Sequence, residues 1–215
     1  MTDRDRAPTA MRPPPVAPGT SPYRAKGLMY RALTTYADAT VPGGWQAVVA
    51  SLPADLARFA AQPFLAGGWY DFLPVVSLTV RAAELAGTPH DAWLTAASRA
   101  AAAEQARGLY RFLLSFVSDE KIALWMPQLT ARYFDFGTLR AERVSPGHVR
   151  TVRVGTPAFC AHWYRVCGAE YVLAAIDLAR GTTGSARVAS RVTATERDPA
   201  SGLPVVTIEF DCWLR

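Results

Sequence analysis

Residues 205–215 read VVTIEFDCWLR, and their alternation decides the fold. Val206, Ile208, Phe210, Cys212 and Leu214 fall on one side of an extended chain; Thr207, Glu209, Asp211 and Trp213 fall on the other. Successive strand side chains point to opposite faces, so this run has one apolar and one mostly polar face. Residues 186–196 alternate in the same way, with Val188 and Val192 opposed to Arg187, Arg191, Thr193 and Thr195. Between the two runs, Arg197-Asp198-Pro199-Ala200-Ser201-Gly202 is turn chemistry. An earlier hairpin is read at 139–144 and 148–154 through Ser145-Pro146-Gly147, on weaker alternation. One wet face and one dry face point to an antiparallel sheet.

The hairpins are separated by a helix over 157–180. Thr156 and Pro157 suit its cap and first position. Cys160, Tyr164, Cys167, Tyr171, Ala174 and Leu178 recur at steps of four and three, which is one helical stripe, and Gly181 ends it. The helix must cover the apolar face of the sheet, because each needs the other to bury its surface.

The N-terminal half reads as helical. Leu28, Met29, Leu33 and Tyr36 predict a helix to about residue 39, with short helices from Trp45 and over 53–62. Trp69, Phe72, Leu73, Val76, Val80 and Ala83 predict a stronger helix opened by Trp69, with Pro74 in its first turns and Gly87 as its stop. Thr88 and Asp91 restart the chain into an alanine-rich helix to residue 107, with a further segment over 109–117. Ser118-Asp119-Glu120 begins another, whose stripe is Ile122, Trp125, Leu129, Tyr133 and Phe136, kinked at Pro127. The fold class is therefore α+β: a helical N-terminal half, then hairpin–helix–hairpin with an antiparallel four-stranded sheet. Residues 23–215 form a single domain of ligand-binding type, and 1–22, rich in Pro, Thr, Ala and Arg, are read as a disordered tail.

Half of the 215 residues are apolar, and the net charge is +5. Lysine occurs only at 26 and 121, and the arginines are scattered without a long run, which argues against a nucleic-acid partner. No apolar run is long enough for a membrane span. Three widely spaced cysteines make no disulfide framework; as small buried hydrophobes they suit a reducing cytoplasm.

No nucleophile elbow, P-loop, dinucleotide fingerprint or His-Glu-x-x-His is present. His90 in a first turn and Glu170 with Asp177 on one helix face read as solvated groups. Cys160 and His162 point apart on a helix, and Cys160 and Cys167 are too far apart for one zinc, so no metal and no cofactor are expected. The aromatic residues are the more informative constellation. Trp69, Phe72, Trp125, Tyr133, Phe159, Trp163 and Tyr164, with Cys167, lie on elements that converge on the sheet. Each is explained by core packing; together they also suit the walls of an apolar pocket.

The element order, with the stretches Gly27-Leu28-Met29-Tyr30-Arg31-Ala32-Leu33 and Trp69-Tyr70-Asp71-Phe72-Leu73-Pro74, resembles a myxobacterial paralogous domain family of unknown function. It is also similar to the wider group of heme–nitric oxide/oxygen-binding domains, 4-vinyl-reductase-type domains and Bet-type subunits of the TRAPP vesicle tether. The resemblance implies a ligand pocket between helices and sheet. It does not extend to heme: the Tyr-x-Ser-x-Arg motif is absent, no histidine lies between His90 and His148, and Pro127-Gln128 stand where the proximal histidine belongs.

Three functions follow as expectations. The first is a non-catalytic small-molecule-binding or sensory domain of a bacterial cytoplasm, without heme, with an apolar pocket between helix 157–180, helix 119–136 and the sheet. The second is a homodimeric structural or protein-interaction module, on Trp213 at the wetter face of the last strand. The third is an enzyme with His162 as base and Cys160, Cys167 or Glu170 nearby.

Overall fold

The computed structural model describes residues 11–105 and 118–215; the helical segment expected over 109–117 lies outside them. The C-terminal half is the expected hairpin–helix–hairpin. Strands β3 (Thr138–Ser145), β4 (His148–Pro157), β5 (Ala186–Arg197) and β6 (Pro204–Leu214) form one antiparallel sheet of order β3-β4-β6-β5. The two hairpins therefore join through β4 and β6, where Val149 faces Cys212, Thr151 faces Phe210 and Arg153 faces Ile208. This inner face carries the buried Val206, Ile208, Phe210 and Cys212. Helix α8 (Ala161–Arg180) covers it, entered through a 3-10 turn (Ala158–Cys160) and stopped at Gly181 in the left-handed conformation. Pro157 ends β4 instead of opening the helix, because it still sits opposite Val205. The cap of α8 is Cys160, not Thr156.

The N-terminal half stacks α1 (Gly27–Thr40), α2 (Gly44–Ala50), α3 (Ala54–Ala60), α4 (Pro74–Leu85) and α5 (His90–Gln105). Gly27 is required where it stands: a Cβ there would lie 2.1 Å from the Leu65 carbonyl oxygen. Helix α5 runs beside α8 in the same direction. Arg99 bridges them, with Nε 2.9 Å from Glu170 and a terminal nitrogen 3.3 Å from Asp177. The two carboxylates read as solvated are thus the tie between the helices.

Three expectations are corrected. Trp69 does not open a helix. Trp69–Asp71 is a short strand, β2, paired with β1 (Arg24–Lys26), and α4 begins only at Pro74. Proline at a helix start loses no hydrogen bond, so the break falls in front of it. The helix over 119–136 is two helices, α6 (Asp119–Leu124) and α7 (Met126–Tyr133), because Pro127 supplies no N–H to continue the ladder. The break at Trp125 turns that indole out to 48 % exposure. Residues 11–22 are not a free tail. The backbone N–H groups of Gly19 and Ser21 donate to the buried carboxylate of Asp71, and Met11 and Val16 pack on the core.

Candidate functional site

Between α1, α5, α7, α8 and the inner face of the sheet lies a cavity of about 190 Å³. Its cause is a row of small residues. Ala97 and Ala101 on α5 and Gly168 on α8 face it, where larger side chains would close the space. The alanine-rich sequence of α5 reads only as a helix former, but its side chains are too short to fill the gap to the sheet. Interiors are otherwise close-packed, and an apolar void of about 150 Å³ is enough to admit a benzene-sized ligand.

The cavity is long rather than round. It runs along α5 from Trp93 to Gln105, about 18 Å at the helical rise. At the far end the Gln105 side-chain oxygen accepts from the hydroxyls of Tyr133 and Tyr171, each at 2.7 Å. At the near end Trp93 and Trp163 line the wall, and the buried indole N–H of each has no acceptor. The cavity is thus an apolar barrel closed at one end by two tryptophans.

Of the residues singled out by sequence, Tyr133, Trp163, Tyr164 and Cys167 line this cavity. The other four do not. Trp69 lies under the Lys26 ammonium, 3.8 Å from its ring centre. Phe72 is sealed in the core against Phe134, Phe136 and Trp163. Phe159 packs on the same core, and Trp125 faces outward. The cavity lies where helix 157–180, helix 119–136 and the sheet were expected to meet, but α5 contributes a wall that the sequence did not single out.

The cysteines are chemically quiet. Burial pushes the Cys167 thiol up to about 12, against the pull of a hydrogen bond with Ser98. Burial likewise raises Cys212 to about 11 and holds Cys160 well above its ordinary range. None offers a thiolate near neutral pH, and the thiolate is the nucleophile and metal ligand.

Arg153 was missed. Its partner Ile208 is buried, so β4 places residues 149, 151 and 153 on the inner face. The guanidinium is 2 % exposed, lies over the rings of Tyr164, Phe136 and Phe134 at 4.7, 5.1 and 5.3 Å, and donates to the Phe136 carbonyl. Its Nε has no partner, and burial lowers its proton affinity. The period-2 pattern of β4 carried this signal, and the weak alternation hid it.

On the outer face, Trp213 is half-buried. It stacks on His148 with ring centres 5.1 Å apart and is covered by the Arg187 guanidinium at 4.1 Å. Asp211, beside it, gathers His148, Arg150 and Arg191.

A second polar constellation stands at the paired N-termini of α5 and α8. His90 is not solvated. Its Nε2 lies 3.1 Å from Thr79 Oγ1, and burial lowers the imidazole to about 4. His162 Nε2 lies 2.6 Å from Asp91, and the two imidazole rings are 6.3 Å apart.

No protein-family model and no curated protein matches the chain. Solved structures do match its fold. An Fe(II) unliganded H-NOX protein variant from K. algicida superposes with a TM-score of 0.58 at 10% identity, covering 88% of this chain and 96% of that one. A doubly substituted Tt H-NOX gives 0.57 at 11% identity, over 88% and 95%. An oxygen-binding H-NOX domain related to soluble guanylate cyclases, in its oxygen complex, gives 0.56 at 7% identity, over 88% and 92%. The chain therefore has the fold of heme–nitric oxide/oxygen-binding domains. Among the described residues, the cavity lining of this chain holds no histidine, arginine or lysine. It does not supply the imidazole that commonly holds heme iron, so its residues do not fit a histidine-ligated heme.

Proposed function

We propose that this chain is a non-catalytic small-molecule-binding or sensory domain that uses the H-NOX fold without heme. Its ligand is a compact apolar molecule. One observation carries the reading: a cavity of about 190 Å³ walled mostly by apolar and aromatic side chains between the helices and the sheet. A preformed apolar pocket with a few placed polar groups is the usual form of such a site. The resemblance of residues 27–33 and 69–74 to the myxobacterial paralogous family supports a bacterial source, and the three unpaired cysteines suit a reducing cytoplasm.

Native mass spectrometry of the protein purified from its own source tests this. The expected result is a small apolar molecule released on denaturation, with an apolar fluorescent probe taking its place in the emptied protein. A protein that releases nothing and binds no probe would sink the proposal. The homodimeric module is the second reading, with Trp213 half-buried on the outer face of the sheet. Light scattering on the same sample measures the oligomeric state directly.

A further inference from the structure

We propose that His90, Asp91 and His162 form a binding site for a divalent transition metal of the zinc class. One ring nitrogen of each histidine and one carboxylate oxygen of Asp91 lie within 4.8 Å of one another. Two imidazoles and a carboxylate are the donor set that such metals prefer, and three protein ligands leave a further position for water or another group.

The hydrogen bonding around His90 fixes which nitrogen is available. Thr79 Oγ1 lies 2.9 Å from the Val75 carbonyl and 3.1 Å from that of Val76, so its single proton is already committed to the helix backbone. Towards His90 Nε2, 3.1 Å away, the hydroxyl oxygen therefore accepts, and Nε2 carries the proton. In the neutral ring the lone pair then sits on Nδ1. That atom is buried and has no hydrogen-bond partner. An acceptor that holds the remote N–H of a histidine and leaves the near nitrogen bare is the usual arrangement around a metal ligand. A buried polar atom with no partner also calls for an explanation, and an ion is one.

The other two ligands need little movement. His162 Nε2 and Asp91 are already in contact. The metal takes the place of the proton between them, and His162 stays neutral by carrying its proton on Nδ1. Donor atoms around tetrahedral Zn²⁺ lie about 3.3 Å apart, given metal–nitrogen bonds near 2.0–2.1 Å. The Asp91 side chain is half exposed and rotates without disturbing the core. Both helices begin here, so the metal would pin the start of α5 to the start of α8 at the end of the cavity walled by Trp93 and Trp163. This inference does not depend on what the cavity binds.

The test is titration calorimetry of the full chain, free of any affinity tag and stripped with EDTA, against ZnCl₂. The expected result is one Zn²⁺ per chain, with a rise in melting temperature that EDTA reverses. Asp91→Asn and His162→Gln should each weaken binding about tenfold or more, since loss of even an outer-shell partner costs about 10–100-fold. Circular dichroism checks that both variants fold, and the half-exposed Asp91 makes the first a safe substitution. His148→Gln, which removes the histidine outside the cluster, should leave the titration unchanged. The proposal is overturned if wild-type protein takes up no Zn²⁺ at submillimolar concentration. It is equally overturned if folded Asp91→Asn and His162→Gln bind as wild type does, or if His148→Gln abolishes binding.

Discussion

Ser21 and Asp71, fifty residues apart in sequence, form the joint that fastens the N-terminal segment to the helical half. The Asp71 carboxylate takes the Ser21 hydroxyl and backbone N–H, and also the N–H groups of Gly19 and Leu73 at 2.8 and 2.9 Å. The residue is 2 % exposed. Removing it leaves several buried donors unpaired. Asp71→Ala should cost about 3 kcal/mol or more at roughly 1–3 kcal/mol per orphaned group. Asp71→Asn, which keeps one acceptor oxygen, should cost less. Urea denaturation of the three proteins measures both. Equal stability of wild type and Asp71→Ala would show that residues 11–22 are not docked in solution.

The thiols give a pH prediction. Cys167 is pushed up to about 12 in the fold, against an ordinary thiol value near 9. Between these values the unfolded chain loses a proton that the folded chain keeps. Stability from this group is therefore complete below pH 9 and falls as pH rises from 9 towards 12. The same burial keeps all three thiols slow. At pH 8 a maleimide should label Cys160, Cys167 and Cys212 no faster than the protein opens, and labelling should become fast in denaturant. Rapid labelling of any one of them in the folded protein would revive the nucleophilic-cysteine reading.

The cavity can be filled from α5. Ala101 lines it, so a phenyl ring added there occupies the space without cutting a hydrogen bond. Ala101→Phe should lower the affinity for an apolar fluorescent probe about tenfold or more while the melting temperature stays or rises. Overpacking of a close-packed core instead costs about 1–3 kcal/mol. A variant that melts early and still binds probe would mean that the probe sits elsewhere.

Legibility in the sequence followed the range of the interaction. The period-2 runs of β5 and β6 and the stripe of α8 are local patterns; both strands stand within a residue of where they were read, and α8 ends at Arg180 as read but begins four residues later, at Ala161. The three-residue strand Trp69–Asp71 is too short to alternate, and only its pairing with Arg24–Lys26 makes it a strand. Trp125 left its stripe because Pro127 divided the helix. The cavity arises from small side chains on α5 and α8 that face each other across the fold. Asp91 and His162 meet although 71 residues separate them. Neither arrangement leaves a trace in any window of sequence.

Arg153 tests whether a buried charge is needed for the fold. No carboxylate pairs with its guanidinium among the described residues; it has three rings, one carbonyl and an unpartnered Nε. Replacing buried charges by an apolar side chain of similar volume is often neutral or stabilising. Arg153→Met should therefore keep or raise the melting temperature. Arg153→Ala, which leaves a hole beneath Tyr164, should lose about 2–5 kcal/mol. A large loss in both variants would show that the charge itself is needed for the fold.

The fold invites heme, but among the described residues no histidine lines the cavity. An H-NOX-like cavity would present an axial donor to the iron, most simply a neutral imidazole or a thiolate. The chain has histidines only at 90, 148 and 162. His148 stacks on Trp213 on the outer face of the sheet, and His90 and His162 stand together with Asp91 at the helix starts. None of the three lines the cavity. The cavity-lining thiols, Cys167 and Cys212, stay protonated because burial raises both. An inner-face arginine exists, but Arg153 is enclosed by aromatic rings and does not line the cavity. The purified protein should therefore be colourless, and an equimolar addition of hemin should give no sharp Soret band that survives gel filtration. A stable band lost in Cys167→Ser would place a thiolate on the iron, and one lost in His162→Ala would place the imidazole there. Either result would replace the apolar-ligand proposal with gas or redox sensing.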